Sequence, residues 1–277
     1  MAAKTKRTYQ TMFKKIGLLA IIVCLQAVPA LADDSQDLAK QLSNPVADLI
    51  SVPFQGNWNH GIGPEGEGEQ TYINLQPVIP FQLNEDWNLI SRTILPITAQ
   101  SDIYPGAGSQ FGLGNTEQSL FLSPAKPTHG IIWGVGPIFY LPTATDRLLG
   151  EEKWGIGPTG VALVQDGPWT VGILANQFWS VAGDPNEDDL NQAYFQPFVA
   201  YTTKDSWTFT LNSESTYYWN SDEWSVPLNA MVSKLVHFDK QPISLELGAR
   251  YWLVTPEDAG PNDWGVRAAV TFLFPEK

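Results

Sequence analysis

The chain has 277 residues and a formal net charge of −13, because 29 acidic residues outnumber 16 basic ones. Apolar residues make up 43% of it and charged residues only 16%, a composition that excludes a disordered chain. The acidic balance argues against nucleic-acid binding, which needs a basic surface, and the 21 prolines and 11 tryptophans argue against a helical protein.

Residues 1–32 have the features of a secretory signal peptide. They contain five basic residues and no acidic one, with an apolar run over 16–27 and a small-x-small pattern that ends at Ala32. The apolar run is too short to cross a bilayer, so we expect cleavage after Ala32 rather than a retained anchor. The single cysteine, Cys24, lies in this segment, so the exported part, 33–277, would contain no disulfide.

Residues 33–49 are predicted to form a short amphipathic helix, because Leu38, Leu42, Val46 and Leu49 recur at helical spacing. Such a helix either lies at the periplasmic mouth of the barrel described next or enters its lumen as a plug. A mobile tail is the alternative, but the apolar face would then have no role.

From Ile50 onward the sequence is typical of a β-rich protein. Short runs of alternating apolar and polar residues are separated by Gly, Pro, Asn and Asp. The twelve predicted strands cover residues 50–62, 69–83, 86–100, 114–124, 130–143, 153–165, 168–182, 190–203, 206–219, 223–238, 241–255 and 263–275.

The connections between these strands alternate between short turns and longer loops, and the short turns recur about every 40 residues. This layout is that of an outer-membrane barrel, whereas a propeller would place four strands in each period. The sequence therefore predicts an all-β protein. It is a transmembrane up-and-down antiparallel β barrel over 50–277, with about twelve strands (ten as the alternative) and a short N-terminal helix.

Tryptophans collect at the ends of the predicted strands. One group follows short turns: Trp87, Trp169 and Trp207. A second group flanks long loops: Trp154, Trp179, Trp219, Trp224 and Trp264. Two such belts mark the two membrane interfaces, whereas a soluble sandwich would bury its tryptophans in a core.

The alternation also predicts which side chains face the lumen. In strand 206–219, Phe209 and Leu211 alternate with Thr208 and Asn212. Because lipid offers polar groups no hydrogen bonds, the polar set is expected to face inward.

Four prolines fall inside predicted strands: Pro77, Pro137, Pro197 and Pro227. Proline removes a donor from the strand ladder and is usually confined to edges and bulges. A closed barrel has no edge, so we expect a bulge at each of these positions.

Five runs are similar to those of a known family: Asn44–Gln55, Pro105–Gly114, Trp133–Pro137, Glu152–Pro158 and Gly248–Trp252. Together they resemble Gram-negative envelope proteins labelled as phenol meta-degradation pathway proteins or as transporters. The resemblance covers nearly all of the exported chain. It implies an outer-membrane β barrel that carries small organic molecules, and it brings no catalytic residue with it.

Six charged residues of the predicted strands are the candidate lumen or constriction residues: Arg92, Glu117, Glu214, Glu246, Arg250 and Arg267. All but Glu246 lie at similar distances from a short turn, which predicts one layer of charge. Charges at membrane depth tend to mark a pathway or a constriction. Two alternatives stay open: a mixed-charge ring that selects solutes, or a salt-bridge network that fills a narrow lumen. Arginines ordered against glutamates with no void would favour the second.

The remaining charges are assigned to the two membrane interfaces. Lys234 lies near a short turn on an apolar face and is expected to snorkel to the periplasmic interface. The predicted external loops contain 16 acidic residues against Arg147 and Lys153. They form either a solvated, repulsive surface or one that attracts cations. Segment 184–189 lacks the spacing of a Ca²⁺ loop, so it predicts no metal site.

Enzymatic motifs are lacking. The three histidines, His60, His129 and His237, are scattered, and neither a Ser–His arrangement nor a His/Cys cluster is evident. The glycine-rich run 105–114 lacks the Lys-Ser/Thr of a phosphate-binding loop. We therefore expect no enzyme, no cofactor and no metal.

The sequence favours a passive, porin-like pore or transporter for small organic solutes, aromatic or apolar ones included, in the outer membrane. The alternative is a closed structural or surface-interaction barrel without transport. The expected partners are outer-membrane lipid, lipopolysaccharide and small organic solutes, with no nucleic acid. The oligomeric state stays open.

Overall fold

The structure, a computed structural model, describes residues 32–275. The predicted signal peptide, apart from Ala32, lies outside the described residues. Helix α1 spans Ala32–Leu42, and no helix of the described range is long and apolar enough to cross a membrane. The strands are β1 (Ile50–Ile62), β2 (Gly68–Leu75), β3 (Val78–Gln82), β4 (Trp87–Ser101), β5 (Ser109–Leu113), β6 (Thr116–Pro124), β7 (Ile132–Leu141), β8 (Lys153–Asp166), β9 (Trp169–Gly183), β10 (Asn191–Thr202), β11 (Trp207–Ser213), β12 (Ser215–Tyr218), β13 (Glu223–Phe238), β14 (Gln241–Val254) and β15 (Trp264–Phe274).

These strands form one closed antiparallel barrel. Neighbours in the sequence pair with each other, and β1 pairs with β15 from Ile50–Phe274 to Trp58–Val266. Three pairs of segments, β2 with β3, β5 with β6, and β11 with β12, each occupy a single strand position. Described residues 50–274 therefore make twelve barrel strands. The prediction of a twelve-stranded up-and-down barrel with a short N-terminal helix is confirmed, and the ten-stranded alternative is wrong.

The two ends of the barrel differ in their connections. Short turns, such as 167–168 and 239–240, lie at the end where β1 begins and β15 finishes, which we call the turn end. Longer segments, such as 102–108 and 142–152, lie at the opposite end, the loop end. Helix α1 therefore enters the barrel from the turn end.

Strand pairing at the four prolines is interrupted in two different ways. At Pro227 the register between β13 and β14 shifts by one residue, as expected for a bulge. At Pro137 and Pro197 pairing lapses on one side and at Pro77 on both sides, yet the register before and after is the same. The bulges predicted at these three positions are wrong, because a missing N–H removes one ladder bond without requiring an extra residue.

A bulge that the sequence analysis did not predict separates β5 from β6. The register of β4 against β5 differs by one residue from its register against β6. Gly114 and Asn115 lie at this step, where the Gly114 amide donates to the Pro96 carbonyl at 2.9 Å. The bulge leaves Asn115 buried near the loop end.

The two faces of the wall differ as predicted. In β11, Phe209 and Leu211 are exposed on the outside, whereas Thr208 and Asn212 are buried on the lumen side. The exterior is thus an apolar surface, and the lumen carries most of the polar side chains of the strands.

Aromatic contacts gather at both ends of the barrel. Near the turn end, the Trp87 and Trp133 rings meet edge to face with centroids 5.9 Å apart. Near the loop end, Tyr217 contacts Trp219 with centroids 4.7 Å apart. These contacts match the predicted pair of aromatic belts.

Lys234 lies on the outer face near the turn end. Its ammonium lies 5.2 Å from the centroid of the Trp207 ring and donates to the Asp205 carbonyl. The amine therefore points from an apolar face toward the rim, as predicted for a snorkelling lysine.

Candidate functional site

Three of the six predicted lumen residues form one ion-pair cluster, the Glu214 cluster (Glu214, Arg250 and Arg267). Arg267 donates Nη1 to Oε1 of Glu214 at 2.7 Å and Nη2 to Oε2 at 2.8 Å, a bidentate pair. Arg250 donates Nη2 to Oε2 of the same carboxylate at 3.2 Å. The side chains of Arg267 and Arg250 are only 2% and 6% exposed, and that of Glu214 is 19% exposed.

Neutral side chains complete the cluster. Asn57 of β1 uses one oxygen, Oδ1, to accept from Nη1 of Arg250 at 3.1 Å and from Nε of Arg267 at 2.8 Å. The Tyr72 hydroxyl accepts from Arg250 at 2.8 Å, and the Trp252 ring lies 4.9 Å from the guanidinium carbon. These contacts satisfy most of the arginine donors; Nε of Arg250 is buried without a partner.

Arg92 and Glu117 lie on the opposite wall, on the paired strands β4 and β6. In their register Arg92 faces Ser119, and Glu117 lies one step nearer the loop end. Both side chains are half-buried, yet neither makes a hydrogen bond or an ion pair with residues 32–275. Their charges interact at longer range, and Arg92 also interacts electrostatically with Glu214 across the lumen.

Glu246 lies on β14, nearer the turn end than the Glu214 cluster. It is half-buried, forms no hydrogen bond with the described residues, and interacts electrostatically with Arg267 and Glu214. The structure thus brings three of the six predicted residues into contact and leaves three apart. Whether they constrict or select remains a prediction.

Four tyrosines of the lumen were missed by sequence reasoning: Tyr72, Tyr140, Tyr194 and Tyr218. Register places Tyr194 opposite Asn176 and Thr216 on the lumen face, and Tyr218 opposite Gln192. Within the described range the hydroxyls of Tyr194 and Tyr218 have no hydrogen-bond partner. The alternation of side chains could have found Tyr72, Tyr194 and Tyr218, since each shares a phase with polar residues of its strand. Strand β7 has no Ser, Thr, Asn, Gln or charged residue that would indicate the face of Tyr140.

The segment after α1 enters the lumen at the turn end. Val46, which is 5% exposed, packs with Ile90, Phe121 and Leu174, lumen-facing residues of β4, β6 and β9. Ile90 and Phe121 retain no exposed surface. At this depth the lumen therefore contains an apolar layer, which we call the Val46 floor (Val46, Ile90, Phe121, Val161, Leu163 and Leu174).

Helix α1 is held on two sides. Ala39 packs with Leu235 of β13 in a second apolar cluster. The Lys40 carbonyl accepts from Gln165 Nε2 at 2.9 Å, and the Lys40 ammonium donates to the Gly167 carbonyl at 2.7 Å. Helix α1 therefore lies against the lumen side of the turn end, but it ends at Leu42, so Val46 and Leu49 of the predicted helix lie in the irregular segment that follows it.

The loop after β7 folds inward over the loop end. Gln100, a lumen-facing residue of β4, donates to the Leu148 carbonyl at 2.7 Å. Asn115 donates to the Glu151 carbonyl at 2.7 Å, and the Tyr140 hydroxyl donates to the Glu151 carboxylate at 2.5 Å. The Gly114–Asn115 bulge thus has a specific effect, because it provides the amide that anchors this loop.

Ion pairs join this loop, and the first residue of β8 after it, to the loop that precedes β10. Arg147 contacts Glu187 at 2.7 Å, and Lys153 contacts Asp189 at 3.1 Å. The hydrogen bond from Lys153 holds the pKa of Asp189 below its ordinary value, with help from Ser180. These loops, which we call the acidic cap (142–152 and 184–190), partly cover the lumen.

Other candidate chemistry is sparse in the described part of the chain. Residues 32–275 contain no group of three or more His, Cys, Asp or Glu side chains placed to hold a metal ion. The His60 ring lies against Trp58 with centroids 5.1 Å apart, and His129 and His237 lie near the turn end.

Comparison with known proteins gives a similarity in fold. No family model matches the chain, and no curated protein matches its sequence. The COG4313 outer membrane channel from Pseudomonas putida F1 superposes with a TM-score of 0.64 at 16% identity, covering 82% of this chain and 94% of that one. Outer membrane phospholipase A from Escherichia coli gives a TM-score of 0.47 at 14% identity, covering 88% and 98%. The superposition on the channel shows that the chain has the fold of that outer-membrane barrel.

Proposed function

We propose that the chain is an outer-membrane barrel through which small organic solutes pass passively, aromatic or apolar ones among them. The observation that carries this proposal is the lumen between the Val46 floor and the acidic cap. It contains half-buried polar groups without internal partners, on Arg92, Glu117, Glu246, Tyr194 and Tyr218. Such groups are available to a passing solute, whereas a purely structural lumen would pair them.

The exterior supports placement in a membrane. Lipid offers no hydrogen bonds to a backbone, so a sheet can span it only as a closed barrel, and this sheet closes through β1 and β15. Its outer face is apolar and carries an aromatic belt near each end. With the predicted signal peptide, these features favour the outer membrane of a Gram-negative cell, with lipid and lipopolysaccharide as partners.

Family membership is part of the proposal. The five runs that resemble phenol meta-degradation pathway proteins lie in the described barrel and the segment before it. The fold is also that of a solved outer membrane channel. Both support a channel in preference to an enzyme.

The N-terminal segment 33–49 is proposed to be a plug. Val46 packs in the lumen with side chains of the wall, and α1 is held at the turn end by apolar packing and by two hydrogen bonds of Lys40. A solute can cross the turn end only if this segment shifts, since Ile90 and Phe121 are fully buried in the present arrangement.

A closed structural barrel is the second candidate. Arg250 and Arg267 are ordered against Glu214 with almost no exposed surface, which is the arrangement expected of a salt-bridge network that fills a lumen. Arg92 departs from that arrangement, because it is half-buried without an ion pair. This difference favours a lumen that accepts solutes over one that is filled by a salt-bridge network.

Single-channel conductance in planar bilayers tests the proposal. The proteins are the refolded chain 33–277, a variant lacking 33–49, and a matched Lys40→Ala variant that removes one contact of α1. Heat-modifiable migration in gels establishes that each barrel is folded. Steady or transient conductance in 33–277 supports a pore, and larger conductance in the truncated variant supports the plug.

Two results would count against the pore. Silence in all three folded proteins favours the structural barrel, as does a failure of proteoliposomes to release a small neutral solute that the bilayer itself retains, such as arabinose. Equal conductance with and without residues 33–49 would overturn the plug while leaving the pore intact.

A further inference from the structure

We propose that Arg92 is an anion-binding residue of the lumen, and that the chain binds small organic acids with an apolar body more tightly than uncharged molecules of the same shape. This inference rests on the proposed function, because it names the class of solute that the lumen takes. It assigns a specificity-determining role to one residue that the sequence placed only in a general ring of charge.

Arg92 differs from the other two lumen arginines in its partners. Arg250 and Arg267 share Glu214, and Asn57 accepts from both. Arg92 makes no hydrogen bond and no ion pair with residues 32–275, although it is half-buried. A half-buried guanidinium that no carboxylate contacts is free to bind another anion, and its planar fork suits a carboxylate.

The surroundings of Arg92 are apolar on the side of the turn end. Val78 lies directly opposite it on β3 and packs against the Val46 floor. Ile90 and Phe121, which face each other in the register of β4 and β6, form the next layer. A cation above an apolar layer is complementary to a solute that has an apolar body and an anionic group.

Tyr194 supplies a second polar contact. It packs against the Val46 floor, and its hydroxyl has no hydrogen-bond partner within residues 32–275. It also interacts electrostatically with Arg92 and Glu117. The phenol group is thus placed to donate to an anion held by Arg92, while its ring provides apolar surface.

Glu117 limits the charge of the solute. It lies one step nearer the loop end than Ser119, the residue opposite Arg92. It forms no ion pair, so its carboxylate remains to repel excess negative charge. A solute with one carboxylate gains the Arg92 contact with modest repulsion, whereas a dicarboxylate would meet Glu117 and Glu214 as well.

Equilibrium binding to the folded chain 33–277 in detergent tests the inference. The probes are benzoate and benzamide, which share a shape and differ in charge, and binding is followed by titration calorimetry. We expect benzoate to bind at least about tenfold more tightly than benzamide, since a charged hydrogen-bond pair is worth that factor or more. Arg92→Gln should remove the preference, and Glu117→Gln should strengthen benzoate binding.

Two further variants separate charge at Arg92 from charge elsewhere. Arg147→Gln removes an exposed arginine of the acidic cap and should leave the preference for benzoate unchanged. Arg92→Lys keeps the charge but loses the fork, and should retain part of the preference. If Arg92→Gln fails to show heat-modifiable migration, the Arg92→Lys and Glu117→Gln titrations still decide the matter.

The outcomes distinguish this inference from the proposed function. Equal binding of benzoate and benzamide, or an unchanged preference in Arg92→Gln, would overturn the Arg92 site. Silence of the folded chain 33–277 and of the variant lacking 33–49 in planar bilayers, combined with Arg92-dependent benzoate binding, would overturn transport and keep the site. Steady conductance with equal binding of benzoate and benzamide would keep the pore and overturn the site.

Discussion

Pro197 of β10 lies opposite Ser213 of β11, and its missing N–H leaves the strand pairing open directly beside Glu214. The register on both sides, Phe198 with Asn212 and Phe195 with Ser215, is the same. The register of the barrel wall is therefore kept, but strand pairing is missing beside Glu214, the carboxylate of the Glu214 cluster.

Pro197→Ala should close this gap. Alanine supplies the amide that proline lacks, and the unchanged register already places the Ser213 carbonyl within reach of it. We expect amide hydrogen exchange at Ser213 and Ser215 to slow by roughly tenfold, in line with one added ladder hydrogen bond of about 1 kcal/mol. Pro137→Ala, on a distant strand, is the control and should leave these amides unaffected. Unchanged exchange at both serines would contradict the explanation.

Glu214→Gln should destabilise the barrel strongly. The substitution leaves the buried guanidinium groups of Arg250 and Arg267 without a counter-charge, which costs about 3–5 kcal/mol when one partner of a buried pair is lost. Urea unfolding in lipid vesicles, followed by tryptophan fluorescence, measures the change. Glu246→Gln is the matched control, because Glu246 forms no ion pair within residues 32–275, and it should cost much less. Similar losses in both variants would refute the assigned role of the cluster.

Val46→Asp should release the N-terminal segment from the lumen. A carboxylate cannot be accommodated among Ile90, Phe121 and Leu174 without a partner, so the segment should leave rather than bury it. Limited proteolysis of the folded barrel should then cut within 33–49 at least several-fold faster than in the parent chain. Val46→Leu keeps the site apolar and serves as the control. Resistance equal to that of the parent would show that α1 alone holds the segment.

Acid should loosen the acidic cap. The pKa of Asp189 is lowered, chiefly by its hydrogen bond with Lys153, and the pKa of Asp184 is lowered, chiefly by the Asn186 backbone amide. A lowered folded-state pKa means that the stabilisation is present above the ordinary carboxyl pKa and is lost as pH falls through the lowered value. The effect is modest because these carboxylates are solvated.

A spin label at Leu148 measures this loosening. Leu148→Cys gives a single labelling site, since the only native cysteine lies in the predicted signal peptide. We expect the label to become more mobile between pH 5 and pH 3, in the range where carboxylates protonate. The same label in an Arg147→Gln background should be more mobile already at pH 7. A label with the same mobility at every pH would show that hydrogen bonds from Gln100 and Asn115 hold the cap without help from the ion pairs.

The barrel was predictable from local pattern because its determinants are local. Alternation places Phe209 and Leu211 outside and Thr208 and Asn212 inside, and the spacing of turns sets the strand count. The prediction of bulges failed at Pro77, Pro137 and Pro197. It assumed that proline inside a closed sheet requires a bulge because no strand edge is available. There the ladder loses one bond and the register is kept.

The candidate site was predictable only in part. The alternation of side chains along each strand was enough to select the six charged residues. It could not show that Glu214 pairs with both Arg250 and Arg267, whereas Arg92 has no ion pair within residues 32–275. Those contacts depend on barrel curvature and on Asn57, which is distant in the sequence. Tyrosines such as Tyr194 were missed because an amphipathic ring fits either face of the wall.

The β1–β15 seam has a consequence for assembly. Every other barrel pairing joins neighbours along the chain, whereas Ile50 must find Phe274 at the far end of the sequence. Closure of so long a loop is entropically costly and slow, and until it occurs two unpaired strand edges remain open to other chains. Biogenesis of this protein should therefore depend on machinery that shields or templates these two edges, and substitutions along the seam should impair maturation more than they impair the finished barrel.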